Sequence, residues 1–190
     1  MQNSSHIIQK TIEKRLAPEE VWLKRYFSEI DRTADVVWPA QNLIFQIQST
    51  PISVKEIKRQ IDDYEKIGYT IVWILHASYY NFYYLTSVES FLRSYTHYFT
   101  NINSLGEGDI YDQHALVTWR QRLIRTPRYP INLSKISYFA RMPSYLTKER
   151  RKWKYSFQGD LFHQESHANP LSFSKIYRFL FEWLLQKVCD

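Results

Sequence analysis

A lone carboxylate and two amides stand where a pair of short apolar strands would be expected to carry apolar side chains. Asp35 lies in RTADVVW (32–38), and Gln46 and Gln48 lie in NLIFQIQ (42–48). Residues two apart on a strand point the same way, so Gln46 and Gln48 share a face. In adjacent strands the three groups can converge near one edge of a sheet. A carboxylate there suits a hard divalent cation, which takes oxygen ligands, and an amide oxygen is a weaker, neutral ligand. The spacing leaves a plainer alternative open, in which Asp35 caps a turn and the glutamines face solvent.

Cationic candidates flank this group. His6 and Lys10 are one helical turn apart and share a face, which fits phosphate contact or simple solvation. Lys55, Lys58 and Arg59 fall together on a later helix. KERRKWKY (148–155) interleaves Lys148, Arg150, Arg151, Lys152 and Lys154 with aromatic residues, a pattern that fits phosphate contact with base stacking or an ordinary solvated segment. His163 and His167 form an H-x-x-x-H pair, but FHQESHANP reads as a helix-poor loop and no metal role is expected of it.

The elements that must position these residues follow from periodicity. A helix is expected over 4–16, capped by Ser4 or Ser5, with Ile7, Ile8, Ile12 and Leu16 at near-helical spacing. Strands are expected at 20–27, 33–38 and 42–48. A helix over 50–68 takes Thr50 as its cap, Pro51 in its first turn, Ile52, Ile57, Ile61 and Tyr64 on one face, and Gly68 as its stop. YTIVWIL (69–75) is nearly all apolar and reads as a strand covered on both faces. The helix between the third and fourth strands is a crossover, so 69–75 should run parallel to 43–48, while 33–38 and 43–48 should be antiparallel. Beyond residue 76 the chain is rich in aromatics. Residues 79–99 read as helix-like, 103–109 as a loop, 110–119 as a strand and 172–188 as an amphipathic helix. The expected organisation is an α/β core over 1–78 with a mostly helical, aromatic-rich extension over 79–190.

Bulk composition sets the limits. The chain has 190 residues, 44% hydrophobic and 23% charged, which is ordinary for a globular protein. No apolar run approaches the roughly 20 residues of a membrane span, and the N-terminus lacks the features of a signal peptide. A single cysteine, Cys189, precludes a disulfide framework within the chain, and a cytoplasmic, membrane-free protein is expected. The net charge of +6 and an aromatic content of 17% fit a polyanionic partner, and equally a well-packed core with a mildly basic surface.

The ordered set ADVV, LIFQIQSTPIS and KRQIDDYEKIGYTIVWIL resembles the nuclease-like domain of CoiA-type competence proteins, a branch of the PD-(D/E)XK nuclease superfamily. The resemblance spans about residues 3 to 76. It is carried by Arg32-Thr33-Ala34-Asp35-Val36, Gln46-Ile47-Gln48-Ser49, Arg59, Tyr64, Gly68-Tyr69 and Trp73-Ile74-Leu75, together with His6 and Lys10 upstream. It implies a restriction-endonuclease-like αβββαβ core and a Mg²⁺ site made by Asp35, residue 46 and the carbonyl of Ile47, with residue 48 orienting water or phosphate. It also implies DNA contacts from His6, Lys10, Arg32 and Arg59, and recombination proteins as further partners. Two departures stand out: the cysteine-based zinc-ribbon-like unit of family members is missing, and Gln46 stands where the family has Glu. One anionic ligand is thereby lost, and metal binding and phosphodiester cleavage should weaken unless Glu29 or His6 compensates. Three readings follow: a DNA-binding protein with weak or no cleavage, an active nuclease with a variant Asp–Gln–Gln site, and an interaction module on a degenerate nuclease fold.

Overall fold

The structure is a computed structural model and describes residues 4–135, apart from 94, 114, 119 and 126, and residues 156–158. Helix α1 (Ser4–Leu16) is followed by strands β1 (Trp22–Phe27), β2 (Arg32–Trp38) and β3 (Leu43–Gln48), helix α2 (Val54–Lys66) and strand β4 (Thr70–His76). This is the expected αβββαβ order. β2 and β3 pair antiparallel and β3 and β4 parallel, with Val36 opposite Phe45 and Gln46 opposite Trp73.

The apolar stripes of the two long helices explain the layering. Ile8, Ile12 and Leu16 of α1 pack with Val36, Trp38, Leu43, Phe45, Ile47, Val72 and Ile74. Ile57, Ile61 and Tyr64 of α2 pack with Val37, Ile44, Ile71, Trp73 and Leu75. Alternate residues of β3 and β4 thus bury into opposite layers, which is why β4 reads as a nearly continuous apolar run. Helix α2 starts later than its sequence suggests. Ser53, not Thr50, is its cap, accepting a hydrogen bond from the N–H of Glu56 at 3.1 Å. Gly68, at φ +82°, makes the left-handed turn that ends it.

The sheet continues past residue 78. Helix α3 (Ser87–Leu92) leads to β5 (His97–Thr100), β6 (Ile110–Asp112) and β9 (Tyr129–Pro130), and the seven strands run in the order β1-β2-β3-β4-β5-β6-β9. A second, antiparallel sheet holds β7 (Ala115–Thr118), β8 (Gln121–Arg125) and β10 (Ser156–Gln158). The expected helix over 79–99 therefore shrinks to one short piece. Thr86 and Glu89 form a reciprocal capping box that starts α3, and the following aromatics join the sheet as β5, parallel to β4. The stretch 110–119 is two strands in different sheets, not one. In its described part the regular structure of the extension is mainly strand. The expected helix at 172–188 lies outside the described residues.

The loop before α3 is framed by arginines. Arg120 donates to the carbonyl of Leu85, Arg122 to that of Phe82 and Arg125 to that of Asn81. Tyr79, Phe82, Tyr83 and Tyr84 remain exposed on it.

Candidate functional site

Asp35 is buried in β2, and three donors close its carboxylate. Oδ1 accepts from Gln9 Nε2 on α1 at 2.8 Å and also from the Lys24 ammonium on β1. Oδ2 accepts from the backbone N–H of Ile47 on β3 at 2.8 Å. The backbone is arranged around these contacts. The β1–β2 ladder passes over the Lys24–Asp35 position and resumes in the same register. Lys24 there adopts φ +52°, a left-handed conformation uncommon for a side-chain-bearing residue. In β2, Ala34 packs in the α2 layer and Val36 in the α1 layer, so the in–out alternation slips at Asp35. The β2–β3 ladder reaches no further than Val36 and Phe45, and the Asp35 carboxylate takes up the Ile47 N–H beyond it.

The two glutamines behave differently. Phe45 and Ile47 face the α1 layer, so alternation puts Gln46 and Gln48 on the α2 side. Gln48 turns its amide to Thr50, whose carbonyl also accepts from the Tyr80 hydroxyl at 3.1 Å. Gln46 Oε1 is buried without a hydrogen-bond partner, as is Gln9 Oε1. Ile47 meets Asp35 through its N–H.

These residues do not fit a resident Mg²⁺. The described residues hold no group of three His, Cys, Asp or Glu able to bind a metal. The one carboxylate at the site already has a full positive charge on it, and a hard divalent ion asks for about six oxygens. Glu29 stays exposed and accepts from Ser28, and it is not among the partners of Asp35.

Arg32 is committed to the fold. Its Nε donates to Asp63 and its Nη1 to Glu56, both at 2.8 Å, bracing β2 against α2. Burial pulls the guanidinium pKa down, but these two carboxylates outweigh it and hold the pKa above its ordinary value. Arg32 in turn pulls the Glu56 carboxyl below the carboxylate range, and Lys66 followed by Arg32 does the same for Asp63. Burial raises the Tyr64 phenol to about 12, with Arg32 opposing and Asp35 and Asp63 adding to the rise. Arg59 is exposed and only 3.9 Å from Glu56.

His6 and Lys10 are exposed on α1, on a face that continues into Lys14 and Arg15. Together with Ile7, Thr11 and Gly106 they line an open depression of about 710 Å³. Gly106, in the 103–109 loop, is the part of that loop that borders it. Gly108 fits there only without a side chain, because a Cβ would stand 2.9 Å from the carbonyl oxygen of Asn101. Arg15 Nη2 reaches Asp109 Oδ1 at 3.2 Å, and Lys10 pairs with Glu13 at 2.9 Å. The start of α1 is pinned beside the other site by a 2.7 Å hydrogen bond between the hydroxyls of Ser5 and Ser49. Lys148, Arg150, Arg151, Lys152, Lys154, His163 and His167 lie outside the described residues.

Sequence reasoning missed Gln9 and Lys24. Gln9 left a signal, since it adjoins the apolar stripe of Ile8 and Ile12 and is a polar residue on a helix face due for burial. Lys24 left none, because nothing in WLKRYF marks a left-handed residue.

Residues 15–105 match the family described as Competence protein CoiA, nuclease-like domain. No curated protein and no solved structure matches the chain. The matched span contains β1 to β5 and α2, hence Lys24, Asp35, Gln46, Ile47 and Gln48, and most of α1 precedes it. Residues 15–105 thus resemble a CoiA-type nuclease-like domain.

Proposed function

We propose that this is a competence-related DNA-processing protein that holds DNA by its phosphates on the α1 side of a PD-(D/E)XK-like fold, with metal-dependent cleavage weak or absent. The observation that supports this best is the depression lined by His6, Lys10, Lys14 and Arg15. Clustered cations release counterions when they meet phosphates, which gives affinity without sequence preference. The closed carboxylate of Asp35 supports the second half of the reading.

Fluorescence anisotropy on single- and double-stranded DNA across a salt series tests the first half. Binding should fall steeply with salt. Lys10→Glu with Lys14→Glu should weaken binding and flatten the salt slope by about two. No binding at low salt would remove the reading. Incubation with Mg²⁺ or Mn²⁺ should leave the DNA uncut, and efficient cutting abolished by Asp35→Asn would establish the active-nuclease reading instead. The exposed aromatic loop of Tyr79, Phe82, Tyr83 and Tyr84 favours a second reading, an interaction module on a degenerate nuclease fold. A chain that neither binds nor cuts DNA would leave that reading standing.

A further inference from the structure

We infer that Lys24 is the built-in cation of this site, standing on Asp35 in place of a divalent metal, and that Lys24 and Gln46 are two halves of one charge-matched substitution. The inference deepens the non-cleaving half of the reading above and rests on Asp35 occupying the position of a nuclease carboxylate.

Charge balance is the first argument. Asp35 contributes one negative charge and Gln46 none, so one ammonium neutralises the pair, whereas a divalent ion would leave it net positive. With Glu at position 46 the same pair would carry two negative charges, the complement of a divalent ion. Geometry is the second. Asp35 Oδ1 accepts from the Lys24 ammonium and from Gln9, and Oδ2 from the Ile47 N–H. A metal would have to displace one of these donors, and Lys24 is the only charged one. The backbone is the third. A lysine in a left-handed conformation within a strand, at the position where the ladder is interrupted, shows the chain shaped to deliver this ammonium to this carboxylate. The fourth is access. The Lys24 side chain is 54% exposed while that of Asp35 is 7% exposed, so removing the lysine opens the carboxylate to an ion from solvent. Gln9, which donates to Asp35 through Nε2, has its Oε1 buried without a hydrogen-bond partner, as has Gln46.

The test uses Mn²⁺ alone, with no DNA, so it is independent of whether the α1 face binds nucleic acid. In the full chain labelled with ¹⁵N, Mn²⁺ should leave the Ile47 amide signal unbroadened. Selective broadening at Ile47 in the unaltered chain would overturn the inference, and this arm needs no variant to fold. Isothermal titration should then show cooperation between the two positions. Gln46→Glu alone and Lys24→Met alone should each bind Mn²⁺ poorly. Combined, they should bind at least about tenfold more tightly than Gln46→Glu alone, since a competing unit charge at contact distance has gone. Lys24→Arg with Gln46→Glu keeps a cation on Asp35 and should keep the metal out. Equal affinity of Gln46→Glu with and without Lys24→Met, or tight binding by the Lys24→Arg combination, would show that the ammonium does not compete. A folded Lys24→Met, Gln46→Glu chain that binds no Mn²⁺ would show that Asp35 does not mark a metal position.

Discussion

The Asp35 site and the Glu89 site set one problem in two surroundings. Each is a buried carboxylate with three donors, one of them cationic. Asp35 has Gln9, Lys24 and the Ile47 N–H. Glu89 has the N–H groups of Asn81 and Thr86 together with the Arg122 guanidinium. The cations differ. Arg122 is 1% exposed and Glu89 fully buried, so neither charge has water to fall back on. Lys24 is a flexible stem with more than half its surface in solvent. A rigid fork enclosed with its partner fixes a loop to a hairpin, whereas a solvated ammonium can be exchanged for another cation. The chemistry of the two pairs is the same, and accessibility separates an enclosed brace from a pair whose cation stands in solvent.

Removing the cation at each site should separate them most sharply. Arg122→Met leaves the Glu89 charge buried and unpaired and should cost about 3–5 kcal/mol. Lys24→Met lets water reach Asp35 and should cost about 1 kcal/mol or less. Urea unfolding of both variants measures the difference, and equal losses would break the comparison. Asp35→Asn should fall between, at about 1–3 kcal/mol, because one amide oxygen must serve donors that a carboxylate shared between two. A loss as small as that of Lys24→Met would mean that Gln9 and the Ile47 N–H find other partners. The smallest effect concerns a third set of charges, the web of Arg32, Glu56 and Asp63. Both carboxyl pKa values are held below their ordinary range, so the stability they supply is complete above about pH 4 and is lost as pH falls through the depressed values. Arg32→Met should therefore narrow the gap between urea midpoints at pH 7 and below about pH 4. An unchanged gap would show that Lys66 alone sets the Asp63 value.

Much of the nuclease-like core was legible because its periods are clean. Ile8, Ile12 and Leu16 mark α1, Ile57, Ile61 and Tyr64 mark α2, and the unbroken apolar run 71–75 marks a strand buried on both faces. The stretch 79–99 was not legible, for a physical reason, whereas the loop at 103–109 was. Aromatics crowd 79–84 and recur at 91, 95, 98 and 99, a spacing that fits helical and strand periods alike, and the decision between them came from the Thr86–Glu89 capping box and from the open edge of β4, which β5 fills. The site divides the same way. The oddity of Asp35, Gln46 and Gln48 is visible as polar residues in apolar strands. The closing of Asp35 by Lys24 depends on a backbone angle and a neighbouring strand, neither of which a residue type encodes.

The left-handed turn at Lys24 has another consequence, for the outer margin of the sheet. β1 is a terminal strand, and a long straight terminal strand offers its unpaired backbone groups to any other extended chain. The kink at Lys24 breaks the straight run, and Lys24, Arg25 and Tyr26 are exposed along it. At the opposite margin β9 is only Tyr129–Pro130, and proline has no N–H to offer. Among the described residues both margins of the seven-stranded sheet are therefore poor templates for strand addition, and the lysine that neutralises Asp35 also blunts the β1 edge.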